Sequence, residues 1–415
     1  MSELEDGLLH LHEVFFIFSP MKCLLIAFLG ATMCAFSQNY TSYFTGNSTD
    51  SQQSANGGIC LMGGATEDDN AMKWFLERAN GGDVLVIRAS GSDGYNDYFY
   101  SDLGIPVNSV ETIVFHNASA ANESYIHEKI EKAEAIWIAG GNQWNYISFW
   151  RATAIDSLIN VGIQNRNMAI GGTSAGMAIL GGYYFSAQYG TVTSAEALAN
   201  PFDADITVDN APFIDLPILQ EVVTDTHYDD PDRKGRHVVF LARMLHDDGI
   251  SAKGIACDEY TAVCIDENNI AAVYGEYPDY GDYAYFLQVN CEYPFNAPET
   301  IEANTPLTWN VSGEALKVYL APGTVDGSVQ FDLNNWRDGV GGIWKNWYVN
   351  NGTLIQQNGT QIDCSVESVE TINLDDPEIK GFYDVMGRKV DFIPNRMVLI
   401  RYANGRVERH LKSSY

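Results

Sequence analysis

From Gly58 onward, short uninterrupted apolar runs alternate with longer stretches in which apolar residues recur every three or four positions. The runs predict strands at 58–64 (GICLMGG), 83–90 (DVLVIRAS), 109–116 (SVETIVFH), 135–141 (AIWIAGG) and 167–174 (NMAIGGTS). The periodic stretches predict helices at 69–79, 121–133 and 147–162. Strands that are apolar at successive positions must be covered on both faces, so the pattern predicts an α/β domain whose parallel sheet is flanked by helices. Strand-like runs continue at 255–266, 270–274 and 284–290, and then the helical period stops. Between 307 and 362 only short β-type stretches separated by Gly and Asn turns remain, which predicts a small all-β module.

The start of the chain reads differently. Residues 21–37 (MKCLLIAFLGATMCAFS) place Lys22 before an apolar run that ends in small residues at Ala35 and Ser37. This is the layout of a secretory signal peptide cut after Ser37, with Met21 as the expected start because residues 1–20 are acidic where such a leader is basic. A membrane anchor over 14–36 is the alternative, but Pro20, Lys22 and Gly30 interrupt it. Residues 38–57 are polar and rich in Gly, Ser and Asn, as a flexible linker would be. The expected organisation is therefore 1–37 extension and signal, 38–57 linker, 58–295 α/β domain, 296–366 β-rich module and 367–415 C-terminal module.

Charge sharpens the last boundary. The chain carries a formal net charge of −30, yet residues 380–415 hold eight basic and three acidic side chains. So acidic a body repels phosphate backbones, which argues against nucleic acid as a partner. The five cysteines beyond the leader show no zinc spacing; Cys60, Cys257 and Cys264 lie in apolar runs and are expected as small buried hydrophobes, while any disulfide pairing stays open. Glu67, Asp68 and Asp69 lack calcium-loop spacing and read as solvated surface, so neither metal nor organic cofactor is expected. Trp309, Trp336, Trp344 and Trp347 crowd the β-rich segment, either as core or as platforms for sugars.

The strongest local signal is IGGTSAGMAIL at 170–180, in which Gly172, Ser174 and Gly176 form G-x-S-x-G between an apolar strand and a helix-like run. A sharp strand-to-helix turn presents a serine hydroxyl in strained backbone geometry, beside the Ala175 N–H that can donate to an oxyanion. Among the histidines, His227 stands where an apolar strand runs into the charged turn of THYDDPDRKGRH. Such strand-end loops assemble active sites. Glu259, in GIACDEYTA, is the expected carboxylate to orient His227, with Asp258 as runner-up on the opposite face of the strand. The order Ser, His, Glu differs from that of α/β-hydrolases, whose acid precedes the histidine.

Five pieces in order, LMGGATED (Gly63, Gly64), AGGNQ (139–143), GGTSAGM around Ser174, DTHY (225–228) with RKGR (233–236), and GIACDEYTA (254–262), resemble the cyanophycinase and aspartyl dipeptidase family of serine peptidases. The resemblance implies a class I glutamine-amidotransferase-like, flavodoxin-like fold. It implies Ser174 as nucleophile, His227 as base, Glu259 as orienting acid, and the Gly141 and Ala175 N–H groups as oxyanion hole. It further implies that Gln143, Asp225, Arg233 and Arg236 bind an aspartyl substrate, while Thr226 and Pro231 stand where the family carries Gln and Arg. The segment 367–415, through YDVMGRKV and VLIRYANGRVERHLK, resembles the sorting domain of the type IX secretion pathway. Together these imply a secreted or surface serine peptidase of a Gram-negative bacterium that acts on aspartyl-linked peptide or isopeptide bonds. The expected partners are that peptide, the export machinery and, as an open option, a second copy in a homodimer. The rival readings are an esterase or amidase on the same residues, and a catalytically silent glycan-binding surface protein.

Overall fold

The computed structural model describes residues 38–293, 296–364 and, toward the C-terminus, 379–384, 387–390, 397–403, 405 and 407–411. The expected signal segment 21–37 lies outside them. Among the described residues no helix is long and apolar enough to cross a membrane.

Two large sheets carry the architecture. The first has ten strands in the spatial order 40–46, 109–115, 83–88, 135–138, 169–173, 59–62, 262–265, 270–274, 329–332 and 339–340. The five from 109–115 to 59–62 are mutually parallel, and antiparallel strands extend them at both ends. These are the strands read as continuous apolar runs; Val84 to Ile87 and Ala135 to Ile138 are all buried. The second sheet orders six strands as 353–358, 343–350, 316–322, 283–289, 253–257 and 222–225, with only the last pair parallel. Leu61, Ile170 and Val263 of the first sheet share one apolar cluster with Ile255, Phe286 and Tyr319 of the second, so the two sheets pack on a common core. The described C-terminal strands, 379–383, 389–390, 397–402 and 407–411, form a four-stranded antiparallel sheet.

Four expectations change. Residues 40–46, read as linker, form an edge strand antiparallel to 109–115, because the β-formers Tyr40, Thr41, Tyr43, Phe44 and Thr45 outweigh the polar composition. The helix expected at 147–162 is two helices, Gln143–Trp150 and Ala154–Arg166: Ala152 is left-handed at φ 58° and the Thr153 hydroxyl caps the second helix by accepting from Ile155 N–H. The run 255–266 is likewise two strands, parted by the turn that holds Asp258 to Thr261. The strands of the 296–366 segment do not close on themselves: 316–322 pairs with 283–289, and 329–332 with 270–274. Both partners would otherwise end their sheets as long apolar edges.

Trp309, Trp336 and Trp347 are buried, and half-buried Trp344 packs on Tyr319 with ring centroids 5.4 Å apart. Trp309, Trp336 and Trp347 are core, and Trp344 packs against it. Cys291 and Cys364 form a disulfide, and Cys60, Cys257 and Cys264 are buried free thiols.

Candidate active site

The glycines, the nucleophile, the base and the acid collect at the carboxyl ends of strands. Gly63 and Gly64 follow strand 59–62, Gly140 and Gly141 follow 135–138, and Ser174 follows 169–173 in the first sheet; His227 follows 222–225 and Glu259 follows 253–257 in the second.

Ser174 has φ 52° and ψ −116°, a conformation in which an L-residue is strained. Its neighbours explain how the turn closes. A Cβ at Gly172 would lie 2.6 Å from the Gly176 carbonyl carbon, and one at Gly176 would lie 2.0 Å from the Ile138 oxygen. Only glycine fits either place, and the Ser174 N–H anchors the bend by donating to Met62 O at 3.0 Å. The hydroxyl is thereby lifted above the sheet at the first turn of the 175–178 helix, whose leading Ala175 N–H has no intrahelical acceptor.

The three side chains read from the sequence as nucleophile, base and acid are joined in line. Ser174 Oγ lies 2.8 Å from His227 Nε2, and His227 Nδ1 lies 2.5 Å from Glu259 Oε1. Donation runs from the serine hydroxyl to Nε2 and from the Nδ1 proton to the carboxylate, which fixes one neutral tautomer. The histidine is itself in the left-handed region at φ 46° and is held by its N–H donating to Gly63 O at 2.9 Å. Gly64 lets the ring sit close, since a Cβ there would be 2.4 Å from Nε2. Glu259 is fixed through its backbone: its N–H donates to Asp229 Oδ1 at 2.9 Å, and the next N–H, of Tyr260, donates to Gly64 O at 3.1 Å.

Asp258, the runner-up acid, points elsewhere. It is buried beside Tyr285, whose hydroxyl donates to Oδ2 at 3.3 Å, and its Oδ1 has no partner among the described residues. Burial, reinforced by the Asp229 charge, pushes its pKa up to about 7.

Gly140 lies against the nucleophile, where its Cβ would be 3.6 Å from that of Ser174, and the Tyr146 hydroxyl donates to Ala139 O at 2.8 Å and fixes the loop leading to Gly141. Gln143 opens the following helix and donates from Nε2 to Phe185 O at 3.1 Å. The other expected substrate contacts divide. Asp225 and Arg236 are buried and bonded to each other, and the third Arg236 nitrogen, Nη1, donates to Thr191 Oγ1, so neither presents an open charge. Burial alone would raise the Asp225 pKa, but the Arg236 guanidinium outweighs it and holds the carboxyl below its ordinary value. These two expected ligand contacts are thus already engaged by each other. Arg233 differs: among the described residues it donates to Thr226 O at 2.9 Å and has no carboxylate within ion-pair reach. Burial, then the Arg236 charge, lowers its pKa, and the Asp225 and Glu259 charges offset this only in part.

Sequence reasoning overlooked Asp229 and Tyr146. Asp229 stands two places after His227 among turn residues and could have been suspected, whereas nothing in the spacing marks Tyr146. Glu67 and Asp68, read as solvated surface, are partly buried: Asp68 caps helix 69–78 through Asn70 and Ala71 N–H, and Glu67 accepts from the Tyr95 hydroxyl.

The model of peptidase family S51 matches residues 61–273. A cyanophycinase from Trichormus variabilis is 23% identical over 167 residues, 40% of this chain and 51% of that protein. A cyanophycinase from Geminocystis herdmanii is 26% identical over 230 residues, 52% of this chain and 77% of that protein. The chain thus spans about half the length of the first curated relative it matches. Among solved structures, a peptidase from an acI-B1 actinobacterium aligns with a TM-score of 0.39 and 14% identity over 54% of this chain and 88% of that one. A putative peptidase E from Listeria monocytogenes aligns at 0.34 and 17%, over 53% and 98%.

Proposed function

Because the chain belongs to peptidase family S51, we propose that it is a serine peptidase in which Ser174 attacks an aspartyl-linked amide carbonyl, on a glutamine-amidotransferase-like arrangement of its parallel strands. The observation that carries this reading is the in-line contact of Ser174 Oγ, His227 and Glu259 at 2.8 and 2.5 Å, with the serine held in a strained turn. His227 Nε2 takes the hydroxyl proton as the C–O bond forms and returns it to the departing amine. Glu259 holds the imidazole in the tautomer that can do so and stabilises the imidazolium. The Gly141 and Ala175 N–H groups receive the negative charge that develops on the carbonyl oxygen. Water then repeats the sequence on the acyl-enzyme.

Specificity for aspartyl linkages is supported by Arg233, a guanidinium that has no carboxylate within ion-pair reach among the described residues, together with Gln143. A planar fork of donors suits a carboxylate. Thr226 and Pro231 replace groups expected for cyanophycin itself, so shorter aspartyl peptides are the preferred substrates in this reading. Secretion through residues 21–37, and export guided by the basic C-terminal segment to the surface of a Gram-negative cell, complete the proposal.

The test is a panel of peptides with α- and β-linked aspartyl bonds, cyanophycin included, followed by mass spectrometry with wild-type protein and Ser174→Ala side by side. Cleavage next to Asp that disappears in the variant supports the reading. Cleavage of esters alone, indifferent to Arg233, would transfer the same residues to an esterase.

A further inference from the structure

Tyr260, directly after Glu259, is out of place in two ways. Its φ is 59°, in the left-handed region where Gly, Asn and Asp are at ease and a bulky ring is rare. Its side chain is 50% exposed and makes no hydrogen bond or ring contact among the described residues. Two other tyrosines contrast with it, since the hydroxyl of Tyr95 is engaged by Glu67 and that of Tyr285 by Asp258. The backbone disfavours an aromatic at 260, and no core uses it.

What the backbone does is tie this residue to the reacting atoms. The Tyr260 N–H donates to Gly64 O at 3.1 Å, and the Cα of Gly64 faces the nitrogen of His227 that meets Ser174. Ala65 and Thr66, next along the chain after Gly64, are exposed. In an acyl transfer the proton carried by Nε2 goes to the leaving amine, so the leaving group must approach this edge of the imidazole.

We propose that Tyr260 is a specificity-determining residue for the leaving-group side, its exposed ring stacking on a planar side chain, aromatic or guanidinium, of the residue whose amine departs. The inference rests on the serine-peptidase reading above. It adds the chemistry of the second half of the substrate, which Arg233 and Gln143 do not touch.

The test compares kcat/KM for four dipeptides with the same N-terminal aspartyl residue and Phe, Arg, Ala or Lys as the leaving residue. Wild-type protein is measured beside Tyr260→Asn, which suits the left-handed backbone, and Tyr260→Phe, which keeps the ring. Wild type and Tyr260→Phe are expected to prefer Phe and Arg over Ala and Lys by about tenfold, the scale of one good stacking contact, and Tyr260→Asn to bring all four within about twofold. An unchanged order in Tyr260→Asn, or equal use of Lys and Arg by wild type, overturns the proposal. A flat profile in an active wild type removes the role of Tyr260 alone. Absence of any cleavage by wild type removes the peptidase reading and this inference with it.

Discussion

The Arg236 guanidinium meets the Asp225 carboxylate through two bonds, Nε to Oδ2 at 2.8 Å and Nη2 to Oδ1 at 2.5 Å, with both side chains almost wholly withdrawn from water. A buried pair of this kind costs most when one member is removed, because the other is left charged and unpartnered. Arg236→Met is therefore expected to lower unfolding free energy by about 3–5 kcal/mol, read from chemical denaturation. Since the pair keeps the Asp225 pKa low, its contribution is present above the unfolded carboxylate value and fades as pH falls through the folded one. The gap between variant and wild type should accordingly narrow in strong acid.

Arg233→Met should behave in the opposite way. Among the described residues no carboxylate pairs with this guanidinium, so the fold should survive, with melting temperature near that of wild type. KM for an aspartyl substrate should rise roughly 10- to 100-fold, the loss expected for one charge-assisted contact of about 1.5–3 kcal/mol. A matching loss on substrates without a carboxylate would show that Arg233 only supports the loop.

Glu259→Gln keeps shape while removing the charge that faces His227 Nδ1. The expected result is a fall in kcat on the order of 10²–10⁴ with little change in KM, because the carboxylate matters most when the imidazolium forms. Steady-state kinetics decide this. A change confined to KM would contradict the role.

The two buried titrating groups behind the site give opposite pH signatures. His237 is buried between the Tyr228 hydroxyl and Val223 O, and burial lowers its pKa to about 4. Between pH 6.5 and 4 the unfolded chain takes up a proton that the folded one refuses, so this group withdraws about 3 kcal/mol of stability as pH falls. Asp258, pushed up to about 7, keeps its proton in the fold while the unfolded chain has lost it, so it withdraws stability as pH rises from about 4 to about 7. Relative to wild type, His237→Gln should gain stability on acidification and Asp258→Asn on going to pH 8. Denaturation midpoints at three pH values would reveal either trend reversed.

Gly176→Ala should abolish activity together with local order, since the new methyl would lie 2.0 Å from the Ile138 oxygen, a separation no rotamer can relieve. A destabilisation of about 2–4 kcal/mol is the scale for such overpacking. Differential scanning calorimetry beside an activity assay would test both halves of the statement.

The central strands were legible because a buried parallel strand leaves a continuous apolar run, as in Val84 to Ile87. Strand 40–46 was not, because an edge strand needs only one apolar face and its composition passes for a linker. Helix 234–248 was hidden by its charged opening Lys-Gly-Arg-His and by burial on nearly every side from Val238 to Leu245, which erases the amphipathic period. The fusion of the 296–366 segment with the sheets depends on pairings such as Leu316 with Val289, a long-range register that no local pattern announces. Ser174, His227 and Glu259 could be singled out because each ends a recognisable strand. The division of labour between Arg233 and Arg236 could not, since Asp225, the residue that claims one of them, lies on another element eleven positions away.

Ser174 hangs from the ten-stranded sheet while His227 hangs from the six-stranded one. Their 2.8 Å contact is consequently a gauge of how the two sheets slide against each other, and a slip of about 1 Å can cost around a hundredfold in rate. Turnover should vanish early in a denaturant titration, while circular dichroism still reports both sheets intact. Any ligand, tether or distant substitution that shears one sheet past the other then becomes a throttle on catalysis without touching a reacting atom.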